Sequence, residues 1–255
     1  MRRPMTTDLN ADVGEAFGVY SFGHDPAIMP HITSANVACG FHAGDAHVMR
    51  QTVRLARQHR VSIGAHPGFP DLAGFGRRAM SLTPREIEDI VVYQIGALAA
   101  VAAADGCQIV HVKPHGALYN LAADDRLVAD AIARAVVSVN RHLVLVGLSG
   151  SALIHAGAAA GLRTAAEVFA DRGYTASGRL LPRDAPGAVL EDVQQVASRA
   201  LSMVRERAVV AGDGTRIALD VDTICIHGDT PGAATLAQAV RLALVEGGVT
   251  VAALR

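Results

Sequence analysis

Ten consecutive residues, Asn36-Val-Ala-Cys-Gly-Phe-His-Ala-Gly-Asp45, bring a thiol, an imidazole and a carboxylate close together. Such a set serves a metal site, a cysteine nucleophile or the turn from a strand into a helix. A second chemical signal is a single residue. The chain holds 23 basic residues, yet Lys113 is its only lysine, and it lies between His111 and His115 in a β-branched run. Side chains two apart share one face of a strand. That alternation groups Asp8, Asn10 and Asp12; His111, Lys113 and His115; Glu167, Phe169 and Asp171; and Cys225, His227 and Asp229. His66 closes another run, and Asn36, Cys39 and His42 belong to the opening stretch. Charged groups on a buried face must be paired or hydrogen-bonded, so these faces are expected to meet in one polar pocket.

Positioning them requires strands that alternate with helices. Strands are expected over residues 7–12, 32–38, 62–66, 109–113, 143–148, 164–169 and 223–227. Thr83-Pro84-Arg85-Glu86 reads as a capping box opening a helix whose apolar residues recur at Ile87, Ile90, Val91 and Ile95. Asp45, Asp124 and Thr230 are further expected caps, and residues 190–204 and 234–245 are amphipathic. Strict alternation argues for a parallel sheet covered by helices. Polar groups at five or six separate strand ends favour a closed barrel over an open sheet, where they would gather at one switch point. The expectation is one (β/α)-barrel domain over 1–255, seven-stranded and TIM-barrel-like.

Composition narrows the function. Of 255 residues 51% are hydrophobic and 18% charged, with a formal net charge of −1, which argues for a globular chain without affinity for nucleic acid. The apolar stretch 91–104 is interrupted by Gln94 and Gly96 and is read as too short for a bilayer. Only residues 1–6 precede the first strand, which is read as leaving no room for a signal peptide. Three scattered cysteines fit a reducing cytoplasm. Gly74-Phe-Gly-Arg-Arg-Ala79 matches a dinucleotide pattern in the wrong context, after Pro67 and Pro70. With one lysine, at Val112-Lys113, there is no Walker A loop, and no G-x-S-x-G elbow occurs. By default Asp45 is a helix cap and Cys39 a small buried hydrophobe forming a pocket wall. His24, His31, His47, His59, His142 and His155 are read as surface or satisfied residues.

Long motifs carry a resemblance. Asp8-Leu-Asn-Ala-Asp-Val-Gly-Glu15, Ser34-Ala-Asn-Val-Ala-Cys-Gly-Phe-His-Ala-Gly-Asp45, Gly64-Ala-His-Pro67, His111-Val-Lys-Pro-His-Gly-Ala-Leu-Tyr-Asn120, Glu167-Val-Phe-Ala-Asp-Arg-Gly-Tyr174 and Ile226-His-Gly-Asp229 resemble the LamB/YcsF family. That resemblance implies a seven-stranded barrel related to the glycoside hydrolase/deacetylase superfamily. It also implies the A component of a 5-oxoprolinase, which opens 5-oxo-L-proline to L-glutamate with ATP and Mg2+ in a complex with subunits B and C. Ring opening works against a tethered amine of effective molarity on the order of 10⁵ M or more. Phosphorylating the lactam oxygen gives water an activated imidate to attack. Such chemistry needs a base, anion clamps and donors to the developing oxyanion. Asp12, Glu15, Asp45 and Asp229 are candidate bases. Lys113 and Arg172 are candidate clamps, with Arg77, Arg78 and Arg183 in reserve, and His42, His66, His115 and His227 are candidate proton carriers. Asp12, Lys113, His115, His42 and Asp229 form the expected catalytic set. Asp8, Asn10, Glu15, Asn36, Asp45, His66, Asn120, Glu167, Asp171, Arg172, Tyr174 and His227 are the expected substrate contacts. Two other readings stay open: a metal-dependent amide or N-acetyl hydrolase, and a substrate-binding component without chemistry. A transition metal is not favoured, because the histidines lie one per strand and a lysine among them repels a cation.

Overall fold

The computed structural model describes residues 5–20, 23–226 and 232–254. The strands are β1 (Thr6–Val13), β2 (Ser34–Ala38), β3 (Ser62–His66), β4 (Ile109–Val112), β5 (Val144–Leu148), β6 (Arg163–Phe169), β7 (Ala208–Val210), β8 (Arg216–Ala218), β9 (Thr223–Ile226) and β10 (Thr250–Val251). The α-helices are α1 (Asp25–Ile28), α2 (Ala46–His59), α3 (Pro84–Ala104), α4 (Gly116–Asp124), α5 (Arg126–Asn140), α6 (Ala152–Ala159), α7 (Val193–Glu206) and α8 (Ala233–Glu246). Among the described residues seven parallel strands, β1 to β6 and β9, close a barrel through a β1–β9 pairing. Strand β10 adds to the start of β1, and β7 and β8 form a separate antiparallel hairpin.

Alternation decides what each strand face meets. Leu9, Ala11 and Val13 of β1, Val37 of β2, Val112 of β4 and Ile224 of β9 join the apolar core shared with the helices. The opposite face fills the barrel in polar layers, where most such barrels carry branched aliphatic residues. Asp8 stands in register with Thr223, Asn10 with Ser34 and Asp12 with Asn36. Gly64, opposite His111, makes one of these layers possible: a Cβ at position 64 would fall within the His111 imidazole.

Several local expectations are met and two are corrected. The Thr83–Glu86 capping box forms at the start of α3. Asp45 caps α2, accepting from His47 N and Val48 N. Asp124, expected as a cap, closes α4 instead; its neighbour Asp125 caps α5 by accepting from Leu127 N and Val128 N. Thr230 lies outside the described residues. Among the described residues one helix, α3, is long and apolar enough to span a membrane by length and composition. It exceeds the expected apolar length because Gln94 does not interrupt it. Gln94 is buried, and its amide bonds Gly68 N, Gly68 O and Ile90 O, so it pins the loop after β3 while α3 packs on α5.

Candidate functional site

A cavity of about 490 Å³ opens at the carboxyl ends of the strands, walled by Asp12, Glu15, His66, Lys113, His115, Tyr119, Asn120 and Phe169, with Arg77, Arg172, Arg179 and Arg183 toward its rim. This is the end of a parallel barrel where loops can present reactive groups. Lys113 forms the floor. Its Nζ lies 2.9 Å from Asp12 Oδ1 and 3.0 Å from Glu167 Oε1, donates to Cys225 Sγ at 3.0 Å, and sits 5.5 Å from the Phe169 ring centre. Burial alone would release the lysine proton. The charges of Asp12 and Glu167, with the hydrogen bond to Cys225, outweigh it and hold the ammonium well above its ordinary value. The Cys225 thiol is itself pushed up by burial, so it stands as a neutral acceptor.

A layer beneath fixes that ion pair. Glu167 is fully buried and accepts from Asn10 Nδ2 at 2.9 Å and from the Tyr119 hydroxyl at 2.7 Å. Asn36 Nδ2 donates to Asn10 Oδ1 at 2.7 Å and to Asp12 Oδ1 at 2.8 Å. Asn36 Oδ1 meets His111 Nε2 at 2.8 Å, which makes that nitrogen the donor. Burial, then the Lys113 charge, pushes His111 down to about 3, so it is a neutral positioning group.

The other wall is imidazole. His66, from the end of β3, and His115, at the start of α4, face each other at 3.0 Å through Nε2 and Nδ1. His42, fully buried in the turn after β2, stacks on His115 with ring centres 3.8 Å apart. Glu15 Oε1 lies 3.5 Å from His42 Nε2 and 3.6 Å from His115 Nδ1, and Asp12 Oδ2 lies 3.3 Å from His66 Nε2. One ligating atom from each of Glu15, His42, His66 and His115 falls within 4.8 Å of the others. Gly76, at a φ of +63°, lets the next loop close over this group: a Cβ there would stand 2.7 Å from His42 Cβ. Burial, then the neighbouring histidines, pushes His115 down to about 3 and His42 well below its ordinary value. These rings are lone-pair donors at neutral pH and poor proton carriers.

The expected residues divide by position. Asp12, Glu15, His66, Lys113, His115, Asn120 and Arg172 border the cavity. Asn10, Asn36, His42 and Glu167 stand behind it, holding its wall, so direct substrate contact is withdrawn for Asn10, Asn36 and Glu167. Arg172 spends its guanidinium on Ala188 O and Leu181 O, shaping the loop after β6 rather than clamping an anion. Asp8 lies toward the opposite mouth, bordering a second cavity with Asp222 and Leu254; its carboxylate accepts from Thr33, Ser34 and Thr223. Asp45 is committed to its cap and to Gly18 N. Tyr174 is buried with its hydroxyl accepting from Phe169 N, and Asp171 is buried outside the cavity lining. Arg78 pairs with Asp71. Cys39 packs in the apolar core, not on the cavity, and burial pushes its thiol up to about 12. His227 and Asp229 lie outside the described residues. Tyr119 and Arg179 line the cavity without having been anticipated as site residues. Tyr119, one helical turn after His115, was legible from that spacing; Arg179, on an irregular loop and paired with Asp124, gave no local signal.

Comparison with known proteins agrees with this geometry. A protein of Geobacillus kaustophilus named as the A component of 5-oxoprolinase is 56% identical over 250 residues, covering 98% of this chain and 97% of its own. The crystal structure of a lactam utilization protein from Thermus thermophilus superposes with a TM-score of 0.93 at 50% identity, covering 98% of this chain and 100% of its own. The polysaccharide deacetylase Bc1974 of Bacillus cereus shares the fold at a TM-score of 0.50 and 10% identity, over 98% of this chain and 92% of its own. With the LamB/YcsF family model matching residues 7–255, the chain belongs to the LamB/YcsF family.

Proposed function

We propose that the chain is the A component of a 5-oxoprolinase, opening the lactam of 5-oxo-L-proline to L-glutamate with ATP hydrolysis, alongside subunits B and C in the cytoplasm. The observation that carries this reading is a charged Lys113, locked between Asp12 and Glu167 on the floor of a small cavity rimmed by arginines. The relatives named for this activity supply the substrate. A fixed ammonium suits an oxygen that gains negative charge, whether on the lactam carbonyl or on a phosphoryl group. Arg77 and Arg183 at the rim suit the substrate carboxylate and ATP-derived oxygens. Asp12, on the cavity side of Lys113, is placed to take a proton from water. Once the lactam oxygen carries the γ-phosphoryl group of ATP, water attacks the ring carbon. The carbon–nitrogen bond breaks, the nitrogen leaves as the amine, and a second water hydrolyses the resulting acyl phosphate to the carboxylate and free phosphate.

The test is an assay by parts with 5-oxoproline and ATP, following glutamate and ADP. Turnover is expected only when this chain is combined with subunits B and C, and Lys113→Met should lower it by about 100-fold or more. Lactam opening by the isolated chain without ATP would overturn the ATP-coupled reading. Full activity in a folded Lys113→Met variant would remove the lysine from the mechanism.

A further inference from the structure

The geometry points to a site for one divalent first-row transition ion, zinc being the best match, held by His66 Nε2, His115 Nδ1, Glu15 and His42. Proton positions come first. His66 Nδ1 lies 2.7 Å from the carbonyl oxygen of Lys113, and His115 Nε2 lies 2.8 Å from the carbonyl oxygen of Phe75. A carbonyl oxygen only accepts, so both of those nitrogens carry the hydrogen. With that single proton on each ring, the remaining nitrogens, His66 Nε2 and His115 Nδ1, are bare lone pairs, and they face each other at 3.0 Å. Two acceptors at that distance repel unless a cation lies where both point.

His42 provides an independent observation. It is fully buried, and among the described residues neither of its ring nitrogens has a hydrogen-bond partner, the nearest carboxylate oxygen being Glu15 Oε1 at 3.5 Å. An orphaned buried polar atom costs on the order of 1–3 kcal/mol. A proton shared by His66 and His115 would relieve their contact and still leave His42 unanswered; an ion beside Glu15 answers both.

The spacing fits coordination. Ligands about 2.1 Å from a metal stand about 3.0 to 3.4 Å from one another in octahedral or tetrahedral shells. Three pairs among these four ligands lie at 3.0, 3.5 and 3.6 Å, all four ligating atoms fall within 4.8 Å of one another, and Asp12 Oδ2 adjoins the group 3.3 Å from His66 Nε2. The two backbone carbonyls fix ring orientation, as partners behind metal-bound histidines do. The one-per-strand spacing that argued against a metal is overcome by the barrel, which gathers the ends of β2, β3 and β4 at one point. The lysine objection also weakens, because Asp12 and Glu167 neutralise Lys113. Imidazole with carboxylate selects zinc and its first-row neighbours over magnesium or calcium. Glu15, His66 and His115 border the cavity, so an ion there is open to substrate oxygen and acts as a Lewis acid. Metal uptake does not depend on which lactam the cavity accepts.

The test uses the full chain, purified without a polyhistidine tag, stripped with chelator and titrated with Co2+ and then Zn2+. One equivalent of Co2+ should bind with visible ligand-field bands, and Zn2+ should displace it. His66→Ala and His115→Ala should each weaken binding more than about 100-fold, since losing even a partner behind a ligand costs about 10–100-fold. His47→Ala, on the exposed face of α2, should bind as the parent does. No uptake by the folded parent chain, or equal affinity in the His66 and His115 variants, overturns the site. Should those variants fail to fold, 15N spectra of the parent chain decide. Zinc must move the His66 Nε2 and His115 Nδ1 resonances while leaving His111 in place, and unchanged ring resonances refute the proposal.

Discussion

Lys113 stands where two carboxylates would otherwise be buried without a counter-charge. Removing one member of a buried ion pair typically costs about 3–5 kcal/mol, so Lys113→Met should lower the unfolding free energy from urea melts by that much as well as cut turnover. The two losses can be separated. Adding Asp12→Asn to Lys113→Met removes one orphaned charge and should recover part of the stability without restoring activity; strict additivity of the two changes would deny their coupling. Lys113→Arg is not a rescue, because a planar fork cannot occupy the space of a compact ammonium held by Asp12, Glu167 and Cys225. Gly64 makes the reverse point, that an absent side chain can be a requirement. Gly64→Ala forces the His111 ring aside and should cost about 1–3 kcal/mol by overpacking. Denaturant melts should show much of that cost missing when alanine also replaces His111.

At the scale of elements, the Asn36–Asp45 stretch is the exit of β2 into α2, and its aspartate works on the backbone. Asp45→Ala should destabilise the fold by about 1 kcal/mol and leave the KM for 5-oxoproline in the assembled complex unchanged. A large rise in KM would return Asp45 to the substrate contacts. The donated N–H groups of Val48 and Gly18 hold its carboxyl below its ordinary value, so this stabilisation is present above pH 4 or so and fades as pH falls through the depressed value. The seven barrel strands and the caps of α2 and α3 were legible because each is written locally, in alternation or in a capping pair. The β7–β8 hairpin was not, since three-residue strands are too short to show a period. The loop after β6 was equally silent, because Arg172 and Arg199 shape it through carbonyls distant in sequence. The site was legible as a set of strand ends. Its internal division was not: which groups face the cavity, which hold the wall, and that three histidines converge depends on barrel closure.

For the whole molecule the barrel interior is a column of polar groups, carried by an apolar shell between strands and helices. Its lowest layer, Asp8 with Thr33, Ser34 and Thr223, borders no cavity wall around Lys113, which it meets through Asn10, and bears chiefly on stability. Burial pushes the Asp8 carboxyl up from its ordinary value near 3.8, against the three hydroxyl donors that favour its charged form. An acid whose value is raised in the folded state binds its proton more tightly there than in the unfolded chain. Its contribution is therefore fully present below pH 4 or so and is lost as pH rises through the raised value. Asp8→Asn keeps the shape and removes the titration. The stability of Asp8→Asn relative to the parent should therefore improve as pH rises from about 4 to 8, although total stability also follows every other carboxylate. Urea midpoints for both proteins across that range measure the difference. A constant difference would mean that the three hydroxyls fully compensate for burial, and a relative stability of Asp8→Asn that falls as pH rises would reverse the sign assigned to Asp8. Activity of the assembled complex should follow neither curve, since Asp8 reaches Lys113 through two intervening side chains, Thr223 and Asn10.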